Sequence, residues 1–225
     1  MQNATDFHQS VKSAMLGTMS VQSLLERYPI LSDQLSVPAL GVVLGALEQT
    51  LKTGIDGDVV EFGCYIGTAS VFIRRLLDEY SETDKRVFFA YDSFEGLPEK
   101  TSEDASTIGL PFQAGELLAS KRDFLTTFKK QHLRAPVTIK GWFKDLRPDQ
   151  IPDHIAFAFL DGDFYQSILD SLVLVWPRLT SGGFITIDDY QREALPGVTR
   201  AIQDFFKNMP LNVRVEKNIG VLRKP

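Results

Sequence analysis

The chain has 225 residues, of which 44% are hydrophobic and 24% charged, and this predicts a single globular α/β domain with a sizeable core. Its net charge of −5 argues against nucleic acid or an anionic membrane as a partner, and we expect neither. With Cys64 as the single cysteine, an internal disulfide and a cysteine-based zinc site are excluded. The N-terminus is polar, without a signal-peptide pattern, and no apolar run reaches the roughly 20 residues of a membrane span, so we expect a cytoplasmic protein.

Residues 1–57 are predicted to form a helical N-terminal extension. Helical potential lies around Met19–Arg27, and Pro38–Leu51 has proline at a helix start followed by a broad apolar face. That face predicts packing on the domain or on a second subunit, and it favours a homo-oligomer, most simply a dimer.

From residue 58 to 225 the chain alternates between apolar runs typical of buried strands and helical patterns. The predicted strands are Val59–Phe62, Val87–Tyr91, Val137–Ile139, Ile155–Leu160 and Phe184–Ile187. The predicted helices are Ala69–Tyr80, Leu117–Gln131, Tyr165–Leu179 and one following Pro196. This alternation predicts a doubly wound, mostly parallel sheet with helices on both faces, and its ligands bind beyond the carboxyl ends of the strands.

Two further segments complete the predicted domain. Asn212–Val215 and Gly220–Leu222 resemble a hairpin at the sheet edge, which makes seven strands in all, with the last one antiparallel. The polar stretch from Glu95 to Gly115 is long enough to predict a mobile lid over a site.

The first strand runs into the glycine-containing loop EFGCYIGTAS, residues 61–70. Gly63 and Gly67 allow a tight turn, but Tyr65 replaces the middle glycine of the dinucleotide fingerprint. The pattern therefore favours a nucleoside cofactor without a phosphate, whereas the alternative is that the glycines only permit the turn. Asp92, directly after the second strand, is placed to accept hydrogen bonds from ribose hydroxyls, or else to cap a turn.

Four acids follow the fourth and fifth strands: Asp161, Asp163, Asp188 and Asp189. Because carboxylates of adjacent strand ends converge and repel one another, they predict a site for Mg²⁺ or a similar divalent cation. The alternative is that one or two cap helices while the others are solvated.

These motifs together resemble the class I S-adenosylmethionine-dependent methyltransferases, and more closely the macrocin O-methyltransferase (TylF/MycF) family. The matching segments are E-x-G-x-x-x-G at 61–67, YDSFEGLP at 91–98, GWFKDLRP at 141–148, LDGDFYQS at 160–167, and IDDY at 187–190 with LPG at 195–197.

The resemblance implies two cofactors, S-adenosylmethionine and Mg²⁺, and a small-molecule hydroxylated acceptor, favoured as a sugar or glycosylated natural product. It implies Asp163 as general base and Asp161, Asp188 and Asp189 as metal ligands. The residues it assigns to S-adenosylmethionine are Glu61, Gly63, Tyr65, Gly67, Ser70, Asp92, Ser93, Trp142 and Asp161.

Three alternatives remain open from the sequence. The acceptor hydroxyl could belong to a non-sugar secondary metabolite. An NAD(P)-dependent oxidoreductase shares the sheet and the ribose-binding acid, although Tyr65 argues against it. A non-catalytic binding protein of the same fold is the third, and the presence of all four aspartates argues against that.

Overall fold

A computed structural model of the protein describes residues 19–108, 112–209 and 212–225. Its strands are β1 (Asp58–Phe62), β2 (Phe88–Asp92), β3 (Val137–Lys140), β4 (Ile155–Leu160), β5 (Leu179–Ile187), β6 (Arg214–Glu216) and β7 (Ile219–Arg223). Its helices are α1 (Val21–Arg27), α2 (Val37–Lys52), α3 (Thr68–Glu79), α4 (Lys121–Lys130), α5 (Tyr165–Val175) and α6 (Pro196–Phe205). The first 18 residues of the predicted extension and positions 109–111 of the predicted lid lie outside the described residues.

The strands form one seven-stranded sheet in the order β3-β2-β1-β4-β5-β7-β6. Strands β1 to β5 pair in parallel, whereas β7 is antiparallel to both β5 and β6. Helices cover both faces of the sheet. The predicted doubly wound fold with a closing antiparallel hairpin is therefore confirmed.

The register of the central strands brings their carboxyl ends to one edge. In the ladders, Phe62 of β1 pairs with Leu160 of β4, which in turn pairs with Ile187 of β5. All six residues of β4 are buried, so this strand is held on both faces of the sheet, as its continuous apolar run predicts. The residues that follow these three strands therefore meet at the same edge: Gly63, Asp161 and Asp188.

Helix α2 packs on the sheet of its own chain. Ser36 caps its N-terminus through a hydrogen bond from the Ala39 amide, and its apolar face joins a buried cluster that includes Phe157 and Phe159 of β4. The apolar face of α2 is thus buried against the sheet of its own chain. It no longer argues for a homo-oligomer, and the dimer stays a prediction. The domain division at residue 57 likewise stays a proposal, since α2 shares its core with the strands.

Some helices begin or end at residues other than the predicted ones, for reasons of local structure. Helix α4 begins at Lys121 rather than Leu117, because Ser120 caps it there and Leu117 has a left-handed φ of 56°. Helix α5 ends at Val175, and a short 3₁₀ turn containing Pro177 leads into β5, which begins at Leu179.

No helix in the described ranges is long and apolar enough to cross a membrane.

Candidate active site

A cavity of about 420 Å³ opens at the carboxyl edge of the sheet. Its lining includes most of the residues singled out from the sequence: Gly63, Tyr65, Asp92, Ser93, Trp142, Asp161, Asp163, Asp188 and Asp189. Three of the residues assigned to the cofactor, Glu61, Gly67 and Ser70, are not part of this lining. The predicted site residues therefore form two groups: those that line the cavity, and Glu61, Gly67 and Ser70, which lie behind its lining at the end of β1 and the start of α3. This region behind the lining is called the floor of the cavity.

Gly63 is required by a close approach between two strand ends. It has a φ of 90°, and a Cβ atom there would lie 1.8 Å from the carbonyl oxygen of Asp161. No side chain fits such a gap, and the left-handed conformation already favours glycine. The residue thus lets β1 and β4 run side by side up to the cavity.

Asp92 holds the glycine-containing loop by its backbone. Its Oδ2 accepts hydrogen bonds from the amides of Cys64 at 2.7 Å and Tyr65 at 3.1 Å. Its Oδ1 accepts a third from the Phe94 amide at 2.7 Å. The carboxylate therefore fixes the loop in this structure, whereas its predicted contact with ribose hydroxyls stays a prediction.

Glu61 and Ser70 form a buried pair beneath the loop. Ser70 Oγ donates to Glu61 Oε2 at 2.5 Å, and both side chains are inaccessible to solvent. Burial, opposed by the hydrogen bond from Ser70 and reinforced by the charge of Asp92, raises the pKa of Glu61 to about 8. A carboxyl group with this pKa is largely protonated at neutral pH and acts as a support of the floor.

The start of α3 lacks a side-chain cap among the described residues. Its N-cap is Gly67, with a φ of 92° and no side-chain cap, and the buried Thr68 Oγ1 has no hydrogen-bond partner among the described residues. Unpaired amides at a helix N-terminus suit a carboxylate or a hydroxyl. This donor set, next to the floor of the cavity, fits the amino-acid end of S-adenosylmethionine.

The four predicted acids are brought together at the ends of β4 and β5, in two sharp turns. Asp163 and Asp189 adopt left-handed conformations, with φ values of 58° and 54°. Such conformations are uncommon for residues other than glycine, and they often mark functional turns. Asp188 and Asp189 are buried, while Asp161 and Asp163 open partly to the cavity.

Burial raises the pKa of each of these carboxyls, and for Asp161, Asp163 and Asp188 the charge of a neighbouring aspartate raises it further. Burial and then the charge of Asp188 raise the pKa of Asp161 well above its usual value, and burial with Asp189 does the same for Asp163. The pKa of Asp188 rises to about 7 through burial and the charge of Asp189. The pKa of Asp189 is also raised by burial, against the opposing effect of Arg192. Positive charge placed among these groups would relieve the repulsion.

Arg192 supplies part of that positive charge. Its Nη1 lies 2.6 Å from Oδ1 of the buried Asp189. Within the described ranges, no three His, Cys, Asp or Glu side chains converge closely enough to hold one metal ion. The hard oxygen donors of Asp161, Asp188 and Asp189 fit Mg²⁺ in kind, but in this structure they do not converge on one point, and Asp189 is already paired with Arg192.

Several lining residues were not singled out from the sequence. Gln34, between α1 and α2, belongs to the predicted extension, and no motif marked it. Lys144 lies within the GWFKDLRP segment, and Arg192 comes three residues after Asp189, so both were close to recognised motifs. Glu99 and Phe112 come from the predicted lid, which therefore does form part of the cavity wall.

Comparison with solved structures defines the fold class. The O-methyltransferase NovP superposes with a TM-score of 0.73, over 84% of this chain and 80% of that one, at 24% sequence identity. The fold is that of the class I methyltransferases.

A family model then places the chain more closely. The model of the macrocin-O-methyltransferase (TylF) family matches residues 40–220, and the chain belongs to that family.

Two relatives illustrate the similarity. An 8-demethyl-8-(2,3-dimethoxy-α-L-rhamnosyl)-tetracenomycin-C 4′-O-methyltransferase from Streptomyces olivaceus is 35% identical over 71% of this chain. The mycinamicin III 3″-O-methyltransferase from Micromonospora griseorubida is 31% identical over 80% of this chain. The matched stretches span 61% and 72% of the length of these two relatives.

Proposed function

We propose that the protein is a Mg²⁺-dependent O-methyltransferase that moves the methyl group of S-adenosylmethionine to a hydroxyl of a sugar or glycosylated natural product. The observation that carries this proposal is the single cavity that joins the glycine-containing loop and Asp92 to the four acids after β4 and β5. Membership of the macrocin-O-methyltransferase family supports it.

The cofactor would lie across the ends of β1 and β2. Gly63 and Tyr65 border its path, and the uncapped start of α3 offers amides and the Thr68 hydroxyl to its amino-acid end. Asp92 and Ser93 would contact the ribose, and Trp142 would border the adenine; all three residues line the cavity. Beneath this path, the hydrogen bond between Ser70 and Glu61 holds the first turn of α3 against β1, and Gly67 allows the backbone to turn into the helix.

Asp161, Asp188 and Asp189 would hold Mg²⁺. When bound, the cation lowers the pKa of an acceptor hydroxyl placed beside it. Asp189 has to release Arg192, or share its second oxygen, for the three carboxylates to act together.

Asp163 would remove the proton from the acceptor hydroxyl. Its carboxylate faces the cavity, and burial with the neighbouring charges raises its pKa, which makes it a stronger base than an exposed aspartate. Methyl transfer to a hydroxyl requires the protein to supply such a base and to hold the acceptor in a fixed position beside it.

The acceptor is proposed as a small hydroxylated molecule. Both polar side chains, such as Gln34, Glu99 and Lys144, and aromatic ones, such as Phe112, line the cavity. One relative's name includes a rhamnosyl group as part of its acceptor, which supports a sugar over a non-sugar metabolite. A cytoplasmic location and a dimeric state remain predictions.

Cofactor binding and base catalysis can be tested in order. Titration calorimetry in Mg²⁺ buffer should show binding of S-adenosylhomocysteine and none of NAD⁺. The reverse would favour the oxidoreductase alternative. A panel of rhamnosyl glycosides, nucleotide-linked deoxysugars and phenolic metabolites would then be assayed for methyl transfer, and EDTA should stop turnover until Mg²⁺ is restored.

The variant Asp163→Asn should lower kcat at least about 100-fold while the affinity for S-adenosylhomocysteine changes less than twofold. The matched control is Asp153→Asn, which removes a carboxylate from an exposed position after the last 3₁₀ turn before β4. Full activity of Asp163→Asn on an accepted substrate would show that another group removes the proton.

A further inference from the structure

Asp104 is a buried acid outside the cavity lining, on the segment that follows β2. It ends a short 3₁₀ turn, Ser102–Asp104, and only 4% of its surface is exposed. Its Oδ2 accepts hydrogen bonds from the Thr101 amide at 2.9 Å and from Thr101 Oγ1 at 3.0 Å. Its Oδ1 accepts one from the amide of Tyr165 at 2.7 Å, which is the first residue of α5.

The contact with Tyr165 supplies a cap that α5 itself lacks. The N-cap position is Phe164, which has no side chain able to accept a hydrogen bond from the helix. An aspartate at a helix start satisfies a free amide and interacts favourably with the helix dipole. Asp104 performs this role from 61 residues earlier in the chain.

A second helix start is shaped around the same carboxylate. A Cβ atom on Gly197, in the first turn of α6, would lie 1.8 Å from Asp104 Oδ1. Glycine at this position therefore leaves the space that the carboxylate fills. The acid lies between the N-termini of two helices, each of which follows one of the acid-bearing turns.

Other contacts tie the same segment to these turns. Lys100 Nζ lies 5.3 Å from the centre of the Phe164 ring, and Ser106 Oγ donates to the carbonyl of Glu193 at 3.0 Å. Arg200 of α6 donates to the Glu103 carbonyl. The segment predicted as a mobile lid is thus anchored along its first half, while Glu99 and Thr101 line the cavity.

We propose that Asp104 is a positioning residue, which fixes the turn that carries Asp163 by capping α5 and couples that turn to the acceptor-side wall. The inference rests on the proposed function and deepens it. Asp163 is two residues before Tyr165 and lies at the centre of a tight turn, which closes with a 2.6 Å hydrogen bond from the Phe164 amide to the Gly162 carbonyl. If the Tyr165 amide is released, the direction of the Asp163 side chain is no longer fixed.

The test compares Asp104→Ala with the matched control Glu103→Gln, which removes the neighbouring carboxylate and leaves the hydrogen bond from the Tyr165 amide to Asp104 in place. We expect Asp104→Ala to lower kcat by about 10–100-fold, because small misplacements of a catalytic group have effects of this size. The affinity for S-adenosylhomocysteine should stay within twofold of the wild type. Hydrogen exchange at the Tyr165 amide should accelerate in Asp104→Ala and not in Glu103→Gln.

Two further variants separate positioning from general damage to the fold. Asp104→Asn keeps an oxygen for the Tyr165 amide and should recover part of kcat. Gly197→Ala should displace the carboxylate and reproduce the loss of kcat although Asp104 is still present. Retention of full kcat in Asp104→Ala with a released Tyr165 amide would overturn the proposal, as would an unchanged exchange rate at that amide.

Asp163→Asn, measured alongside, distinguishes this failure from failure of the proposed function. If Asp163→Asn is inactive and Asp104→Ala is fully active, only the positioning role is wrong. If Asp163→Asn is fully active, the base assignment is wrong, and the role of Asp104 in positioning that base is wrong with it.

Discussion

Arg192 Nη1 lies 2.6 Å from Oδ1 of Asp189, so a cation of the protein already neutralises one of the proposed magnesium ligands. The guanidinium also lies 5.8 Å from the centre of the Phe112 ring, on the cavity wall. The side chain would therefore compete with the proposed metal ion for Asp189, and its charge offsets part of the repulsion within the acid cluster.

We expect Arg192→Ala to bind Mg²⁺ more tightly than the wild type, by about 3–10-fold, and to unfold at a lower temperature in EDTA. Removal of the competitor strengthens metal binding, while the uncompensated repulsion destabilises the metal-free fold. Calorimetric titration with Mg²⁺ and thermal unfolding with and without it measure both effects. Arg147→Ala, which removes the same charge from an exposed pair with Asp149, serves as control. Weaker Mg²⁺ binding by Arg192→Ala would show that the arginine assists the metal rather than competes with it.

The buried carboxyl of Glu61 should make stability depend on pH. Its pKa is about 8 in the fold and near 4.5 when unfolded, so the folded state binds more protons between these values. Stability from this group is therefore fully present below pH 4.5 and is lost as the pH rises towards 8. The loss is at most about 1.4 kcal/mol per pH unit.

Urea unfolding of the wild type and of Glu61→Gln between pH 5 and 9, in EDTA, isolates this contribution. As the pH rises, the unfolding free energy of the wild type should fall relative to that of Glu61→Gln. Glu26→Gln, at an exposed position of α1, is the matched control for the substitution itself. A parallel pH dependence for wild type and Glu61→Gln would contradict the raised pKa.

Gly63→Ala should destabilise the protein by at least about 3 kcal/mol and abolish binding of S-adenosylhomocysteine. Its new Cβ would meet the Asp161 carbonyl, and its left-handed φ disfavours alanine as well. The matched control is Gly45→Ala in α2, where a Cβ meets nothing within 4 Å. There we expect a gain of up to about 1 kcal/mol, since alanine is the better helix former. Denaturant unfolding and calorimetry report both quantities, and unaltered cofactor binding by Gly63→Ala would show that the loop tolerates separation from β4.

Asp92→Asn should weaken binding of S-adenosylhomocysteine about 10–100-fold, because three amides would lose a charged acceptor. Binding of the 2′-deoxy and 3′-deoxy analogues separates a role in the loop from a contact with ribose. If Asp92 also contacts the ribose, the wild type discriminates against the deoxy compounds and the variant does not. Equal discrimination by both proteins would confine Asp92 to the loop. Asp84→Asn, at an exposed position after α3, controls for the lost charge.

The fold could be predicted from the sequence because its signals are local and repeated. Buried runs such as Ile155–Leu160, each followed by a helical pattern, leave few arrangements other than a doubly wound sheet. The gathering of the acids followed from the same reasoning, since parallel strands end at a common edge.

What could not be predicted depends on contacts between distant residues. Nothing local indicates that Asp92 accepts hydrogen bonds from the amides of Cys64 and Tyr65, or that Asp104 caps a helix that begins 61 residues later. The burial of α2 on its own sheet, rather than on a second subunit, is also set by the packed structure as a whole.

Gln34 reaches the cavity from the short connection between α1 and α2, whose second helix is fastened to the sheet. Helix α2 and the connection that precedes it therefore differ in which substitutions they tolerate. Substitutions in α2 alter the core shared with β4, whereas Ser32, Asp33 and Gln34 of the connection lie outside the buried clusters. Exchange of these three residues for those of related enzymes, with Leu35, the cap Ser36 and α2 kept intact, is therefore a practical way to alter which acceptor the proposed site admits.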